Sequence, residues 1–259
     1  MSIKTKVLAA AATLTLISGV GAAGALSAGA ATPSCGPDCL DLFSKDFGTF
    51  HNPGFVMDVF RQGARVGQPL ILFKTSNSDP AQDFTVSFQG QVSDFRSAGL
   101  VGPQVNLHYG CNFNVNTNTC GNHFPDDFAF EVEYSPYGVG SGLCVGVSRT
   151  AYQNEGVSLQ GCGVSPNTVW IVDTLDSCPF NPLTRNELPV INGSDNNFSH
   201  PFVLTYPNNG YPTDSPRPQL KVTNLTGFSQ TGNARCGGLG SVTGVSSNQL
   251  WAAKFGVLN

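Results

Sequence analysis

Residues Gly142–Asp173 read GLCVGVSRTAYQNEGVSLQGCGVSPNTVWIVD, and this stretch sets the grammar of the chain. Leu143, Val145 and Val147 alternate with small residues, the period-2 pattern of a half-buried strand. A polar turn follows, then a second alternating strand through Val157 and Leu159. A loop then leads to Trp170, which opens a third strand. The same order recurs over Phe55–Phe84 (FVMDVFRQGARVGQPLILFKTSNSDPAQDF). It recurs again over Phe202–Trp251, as FVLTYP, PQLKV and NQLW separated by insertions. A fourth copy is read over Gly99–Phe128, with VNLHYG as its second strand and DDF at its end. No unit this short buries an apolar face alone, so the copies must share one core.

Composition agrees with an all-β fold. Charged residues are 12% of the chain, and Gly (30) and Pro (17) are abundant. Long runs of strong helix formers are missing, so no helix is expected beyond the N-terminal segment. That segment has Lys4 and Lys6 ahead of an apolar run from Val7 to Val20, then small residues to Ala28-Gly29-Ala30. Together these have the order of a secretory signal peptide over residues 1–30. Residues 31–259 then form a single all-β repeat domain, secreted and without a membrane anchor in the mature form. Loss of Lys4 and Lys6 takes the net charge from −4 to −6. The remaining cations are scattered singly, which excludes a nucleic-acid partner that would require clustered Lys and Arg.

All eight cysteines lie beyond residue 30, and an even count in an exported chain implies disulfides. Candidate pairs are Cys144–Cys162 at the ends of two neighbouring strands and Cys111–Cys120 around an Asn-rich loop. Cys178–Cys236 would flank the large insertion, leaving Cys35–Cys39 as neighbours. No pair has the C-x-x-C spacing that would favour zinc. Cys178–Ser199 and Thr226–Val245 read as surface loops, from their Asn, Pro and Gly content.

The strand–turn–strand–loop–aromatic order resembles the ricin-type β-trefoil lectin repeat, whose signature is G-x-C-L-x-V, V-x-L-x-x-C and Q-x-W. GLCVGV, VSLQGC and the Trp170 segment carry the likeness, with Asn248-Gln249-Leu250-Trp251 and Gln82-Asp83-Phe84 as further Q-x-aromatic ends. The Ala-rich leader also resembles those of secreted actinobacterial proteins. The resemblance implies a β-trefoil-like single domain with loop insertions. Four equal units would instead make a small β-propeller.

In that family an Asp after the first strand and an Asn before the Gln of Q-x-W bind sugar hydroxyls, and a loop aromatic stacks on the ring. The chemistry fits, because an amide and a carboxylate match paired hydroxyls and a π-face matches a C–H face. Carried over, these roles fall on Asp58, with Asn77, Asp79 and Gln82 in its copy, and on Tyr152 and Asn167 in the central copy. In the last copy the role falls on Asn248. Ala81, Gly146, Thr168 and Thr205 occupy places where the family has polar ligands. The fourth copy offers Asp94 and Asp126. Tyr134, Tyr137, Tyr206 and Tyr211 are further stacking candidates in loops, and Trp170 and Trp251 are expected to be core anchors.

G-x-S-x-G, H-E-x-x-H and Walker motifs do not occur. His108, His123 and Asp126 lack the ligand spacing of a metal site, and Asp126-Asp127 would point apart on a strand. The expectation is a non-catalytic module without metal or cofactor that binds a polysaccharide or glycan. The alternative is an extracellular structural or interaction protein, such as a hydrolase inhibitor, on a degenerate lectin scaffold with a secreted protein as partner.

Overall fold

The computed structural model describes residues 35–36, 38–47, 54–76, 78–101, 128–163, 165–172, 189–194, 201–207, 211–226 and 246–255. The proposed leader, Cys111, Cys120, Cys178, Cys236, Asn77, His108, His123 and Asp126-Asp127 lie outside them.

The described strands fall into three sets of the same order. Lobe 1 contains β1 (Leu40–Ser44), β2 (Phe55–Val59), β3 (Leu70–Lys74), a 3-10 turn at Pro80–Gln82 and β4 (Phe84–Gln91). Lobe 2 contains β5 (Phe128–Tyr134), β6 (Leu143–Gly146), a short β7 (Glu155–Gly156), β8 (Ser158–Gly161), a turn at Pro166–Thr168 and β9 (Val169–Val172). Lobe 3 contains β10 (Ile191–Asn192), β11 (Phe202–Thr205), β12 (Lys221–Asn224), a turn at Ser247–Gln249 and β13 (Trp251–Phe255). The last strand of each lobe pairs with the first strand of the next: β4 with β5, β9 with β10, and β13 back to β1.

The three third strands meet at one axis. Leu70 N–H donates to Val157 O (3.1 Å), Val157 N–H to Leu220 O (2.7 Å), and Leu220 N–H to Leu70 O (2.8 Å). These residues are equivalent by register, because Met57↔Leu72, Val145↔Leu159 and Leu204↔Val222 pair in the same way in their own lobes. All three are fully buried. A cyclic ring of backbone bonds between equivalent residues is three-fold symmetry in the main chain itself. The architecture is a β-trefoil.

Several expectations are corrected here. The sets number three rather than four: Gly99–Val101 of the expected fourth copy is not a strand, and residues 102–127 lie outside the described residues. A helix does occur, α1 (Val92–Ser97), and Asp94 sits in its first turn. Asp94 and Gln91 form a reciprocal capping box that stabilises so short an element. The stretch read as surface loop over Cys178–Ser199 contains β10. Val190 and Ile191 are buried there, and the amide of Asn192 is committed internally to Asn167 O and Ser194 N–H. Tyr134 and Tyr206 are core residues, not loop platforms.

Apolar side chains from all three lobes fill the interior, among them Leu72, Leu159, Val222, Trp170 and Trp251. Trp170 Nε1 donates to Val145 O (2.9 Å), and Trp251 Nε1 donates to Leu204 O (2.8 Å), the equivalent atom. Phe84 takes this place in lobe 1. A second cluster lies on the outer side of the sheet, where Val92 and Phe95 of α1 pack on Ala129, Ile171, Ile191 and Val203. Full burial of Phe95 alone contributes about 2–3 kcal/mol. Cys35 is joined to Cys39, and Cys144 to Cys162 across the β6–β8 pair. Among the described residues, no helix is long and apolar enough to cross a membrane.

Candidate ligand-binding site

The three-fold register puts Asp58, Gly146 and Thr205 at one equivalent position, directly opposite Ile71, Ser158 and Lys221. Gln82, Thr168 and Gln249 end the three 3-10 turns that pack beside it. The lobes have resolved this shared site in three different ways.

In lobe 1, Gln82 braces the turn. Its Oε1 accepts Ser76 N–H (2.8 Å), while Nε2 donates to Lys74 O (2.9 Å) and to Asp58 Oδ2 (3.3 Å). Asp79 caps the turn by accepting Ala81 N–H (3.0 Å) and also receives Gln62 Nε2 (3.1 Å). Pro80 at the first position suits the turn, having no N–H to satisfy. Asp58, Asp79 and Gln82 are therefore brought together. Asp58, however, is only 4% exposed, and its carboxylate points to Gln82 instead of capping a turn. Burial pushes its pKa up to about 7; the Gln82 bond and Arg217 oppose this, and the charge of Asp79 adds to it.

In lobe 2 the main chain fills the site. A Cβ on Gly146 would lie 2.7 Å from Asn167 O, so only glycine admits the turn this close. Val147 N–H donates to that carbonyl (3.1 Å), as does Asn192 Nδ2 (3.1 Å), and Asn167 Nδ2 bonds back to Val147 O. Asn167 thus holds strand to turn. Thr168 is too short to brace the turn, and Glu131 from β5 replaces the glutamine. Its Oε1 accepts Gly163 N–H (3.0 Å), the equivalent of Ser76 N–H, and the Thr168 hydroxyl. Tyr152 is 43% exposed, but the guanidinium of Arg149 lies 4.4 Å from its ring centroid. One face of that ring is already occupied.

In lobe 3 a cleft of about 420 Å³ lies over the site, with Thr205, Asn248 and Gln249 buried at its base. Gln249 repeats the lobe 1 brace: Oε1 accepts Thr226 N–H (2.8 Å) and Nε2 donates to Asn224 O (2.8 Å). Nε2 also reaches Thr223 Oγ1 (2.9 Å), and the hydroxyls of Thr223 and Thr205 are 2.8 Å apart. These three residues form the floor. Asn248 beside them donates to Tyr206 O (2.7 Å), the same strand-to-turn bond that Asn167 makes. Gln153 and Asn154, from the β6–β7 loop of lobe 2, form one wall, fixed by Asn154 N–H to Val222 O (2.9 Å) and Asn224 N–H to Gln153 Oε1 (2.8 Å). Lys221, Thr226 and Ser246 complete the rim. Among the described residues the lining is hydroxyls, amides, one ammonium group and the ring of Pro207, suited to a small ligand with both polar and apolar faces.

Of the sugar-binding candidates read from the sequence, Asn248 lines this cleft, together with Thr205 and Gln249 of the same repeat. Asp58, Asp79 and Gln82 cluster in lobe 1, Asn167 and Tyr152 belong to lobe 2, and Asn77 lies outside the described residues. Lys221 and Thr223 were legible in PQLKVTN, where they alternate with the buried Leu220 and Val222. Gln153 and Asn154 gave no such signal, because only the three-fold packing brings their loop to lobe 3.

No protein-family model matches the chain, and no curated protein matches it in sequence. Among solved structures it is similar to a designed three-fold symmetric protein, ThreeFoil, at TM-score 0.45 and 11% identity, over 83% of this chain and 96% of that one. It is similar to the Rhizoctonia solani agglutinin at TM-score 0.42 and 12% identity, over 85% and 96%. A mosquitocidal holotoxin is matched at TM-score 0.44 and 11% identity over 83% of this chain, which spans 17% of the toxin's length. At these scores the trefoil assignment rests on the chain's own hydrogen-bond register.

Proposed function

We propose that the protein is a secreted, non-catalytic carbohydrate-binding module that takes its ligand in the lobe 3 cleft. One observation carries this reading. Of three equivalent positions, one is sealed by main chain at Gly146, one holds a buried carboxylate at Asp58, and one lies at the base of a cleft lined by amides and hydroxyls. Such groups offer a sugar hydroxyl both donors and acceptors. The bracing bonds of Gln249 and Asn248 fix them before the ligand arrives, which limits the ordering cost of binding.

The test is retention on a panel of immobilised polysaccharides, comparing the parent with Thr223→Tyr, which fills the cleft floor. Retention of the parent and its loss in the variant, with the variant still cooperatively folded, supports the reading. Equal retention of both moves the site elsewhere.

A second reading, a protein-binding module, is favoured by the hairpin between β5 and β6. Tyr137 and Val139 are each 69% exposed there. The hairpin is held rigidly, with Tyr137 N–H donating to Asp83 Oδ2 (2.7 Å) and Ser141 Oγ donating to Tyr134 O (2.6 Å). A secreted partner whose binding is abolished by Tyr137→Ser and untouched by Thr223→Tyr would select this reading.

A further inference from the structure

We propose that the ligand of the lobe 3 cleft is a saccharide bearing a negative charge, held by the ammonium group of Lys221. This rests on the carbohydrate reading above and narrows its ligand class. Lys221 stands directly opposite Thr205, in the register that pairs Asp58 with Ile71 in lobe 1 and Gly146 with Ser158 in lobe 2. Lobe 3 has therefore inverted the charge of the site. It has lost the carboxylate of the strand-end position and gained a cation on the residue facing it.

The neighbouring groups leave that cation available. None of the described residues lining the cleft is acidic. An Asp at position 205 would have formed a cross-strand ion pair with Lys221; Thr205 instead turns its hydroxyl to Val203 O (2.9 Å) and Thr223 Oγ1 (2.8 Å). Among the described residues, Lys221 makes no side-chain hydrogen bond or ion pair. An unpaired ammonium beside preorganised amides selects for a ligand carrying both hydroxyls and an anion. Lysine is a compact point charge without the planar fork of arginine, so it accepts a uronate carboxylate and a sulfate ester alike.

Binding is measured by titration calorimetry in two matched pairs, polygalacturonate against its methyl ester and dextran sulfate against dextran. Polyaspartate serves as a charged polymer without sugar. The parent is compared with Lys221→Gln and Lys221→Arg. The expected result is binding about tenfold or more tighter to a charged saccharide than to its neutral partner. Lys221→Gln abolishes that preference, Lys221→Arg keeps it, and added salt weakens it. The pair that shows the preference identifies carboxylate or sulfate as the source. Equal affinity within both pairs, unchanged by Lys221→Gln, overturns the inference and leaves the carbohydrate reading standing. Equal binding to polyaspartate overturns it as mere charge attraction. Binding to no saccharide at all overturns the carbohydrate reading itself.

Discussion

Replacing Asp58 with asparagine should make the protein more stable at neutral pH. The carboxylate is buried in lobe 1 and meets one neutral donor, Gln82 Nε2, at 3.3 Å. The charged groups acting on it are Asp79 and Arg217, with opposite effects, and burial outweighs both. Its pKa consequently rises from 3.8 to about 7. A folded-state pKa above the unfolded value means that the native state holds the proton more tightly. The contribution to stability is then complete below about pH 4 and is lost as pH rises through about 7. At about 1.4 kcal/mol per pH unit the gap is worth up to about 4 kcal/mol, of which about 3 kcal/mol falls between roughly pH 4.5 and pH 7.5. Asparagine has nearly the same shape, carries no charge, and still accepts the Gln82 bond through its carbonyl oxygen. Urea unfolding at the two pH values should show the stability of Asp58→Asn, relative to the parent, rising by about 3 kcal/mol from the lower to the higher pH. A difference that does not change with pH would refute the reasoning, because it would mean that Asp58 is ionised and paired throughout.

Asp41, raised to about 6 chiefly by burial, with Lys254 opposing and Asp83 adding, should give Asp41→Asn a smaller effect of the same sign, read in the same titration. Gly146→Ala should destabilise by about 2–3 kcal/mol, because the methyl group meets main-chain oxygen at 2.7 Å; thermal unfolding measures this. Glu131→Leu strands Gly163 N–H and leaves the Thr168 hydroxyl only its longer bond to Ser165 O (3.2 Å), and should cost about 2 kcal/mol in the same assay. Asn167→Ala and Asn248→Ala should each lose about 1–3 kcal/mol, but only Asn248→Ala should also weaken ligand retention on a polysaccharide column.

The fold was legible in the sequence because it is written in spacing. The alternation of Leu143, Val145 and Val147, and the aromatic that opens each lobe's last strand, mark elements whose period the barrel requires. The number of lobes was harder to read. β10 has only two residues, and β1 takes most of its pairing from β13 at the other end of the chain, so neither LDLFS nor VIN advertises itself. Helix α1 was missed because six residues give little periodicity, and its stability comes from one capping box and from Phe95.

The site was legible only as a set of positions. The sequence located Asp58, Gly146 and Thr205 as equivalents but not what each lobe had done with them. Gly146 admits a carbonyl, and Glu131 on a neighbouring strand replaces a missing glutamine. Asn167 and Asn248 spend their amides holding turns in place. These are contacts across the fold, and no local pattern encodes them.

The most direct measurement is the amide chemical-shift map of the 15N-labelled protein titrated with oligosaccharides of whichever class, galacturonate or sulfated dextran, calorimetry shows to bind. The account predicts saturable shifts at Gln153, Asn154, Lys221, Thr223 and Thr226, with Gln82 and Asn167 unmoved. Shifts centred on Asp58 and Gln82, or on Tyr137 and Val139, with the lobe 3 residues unmoved, would contradict it.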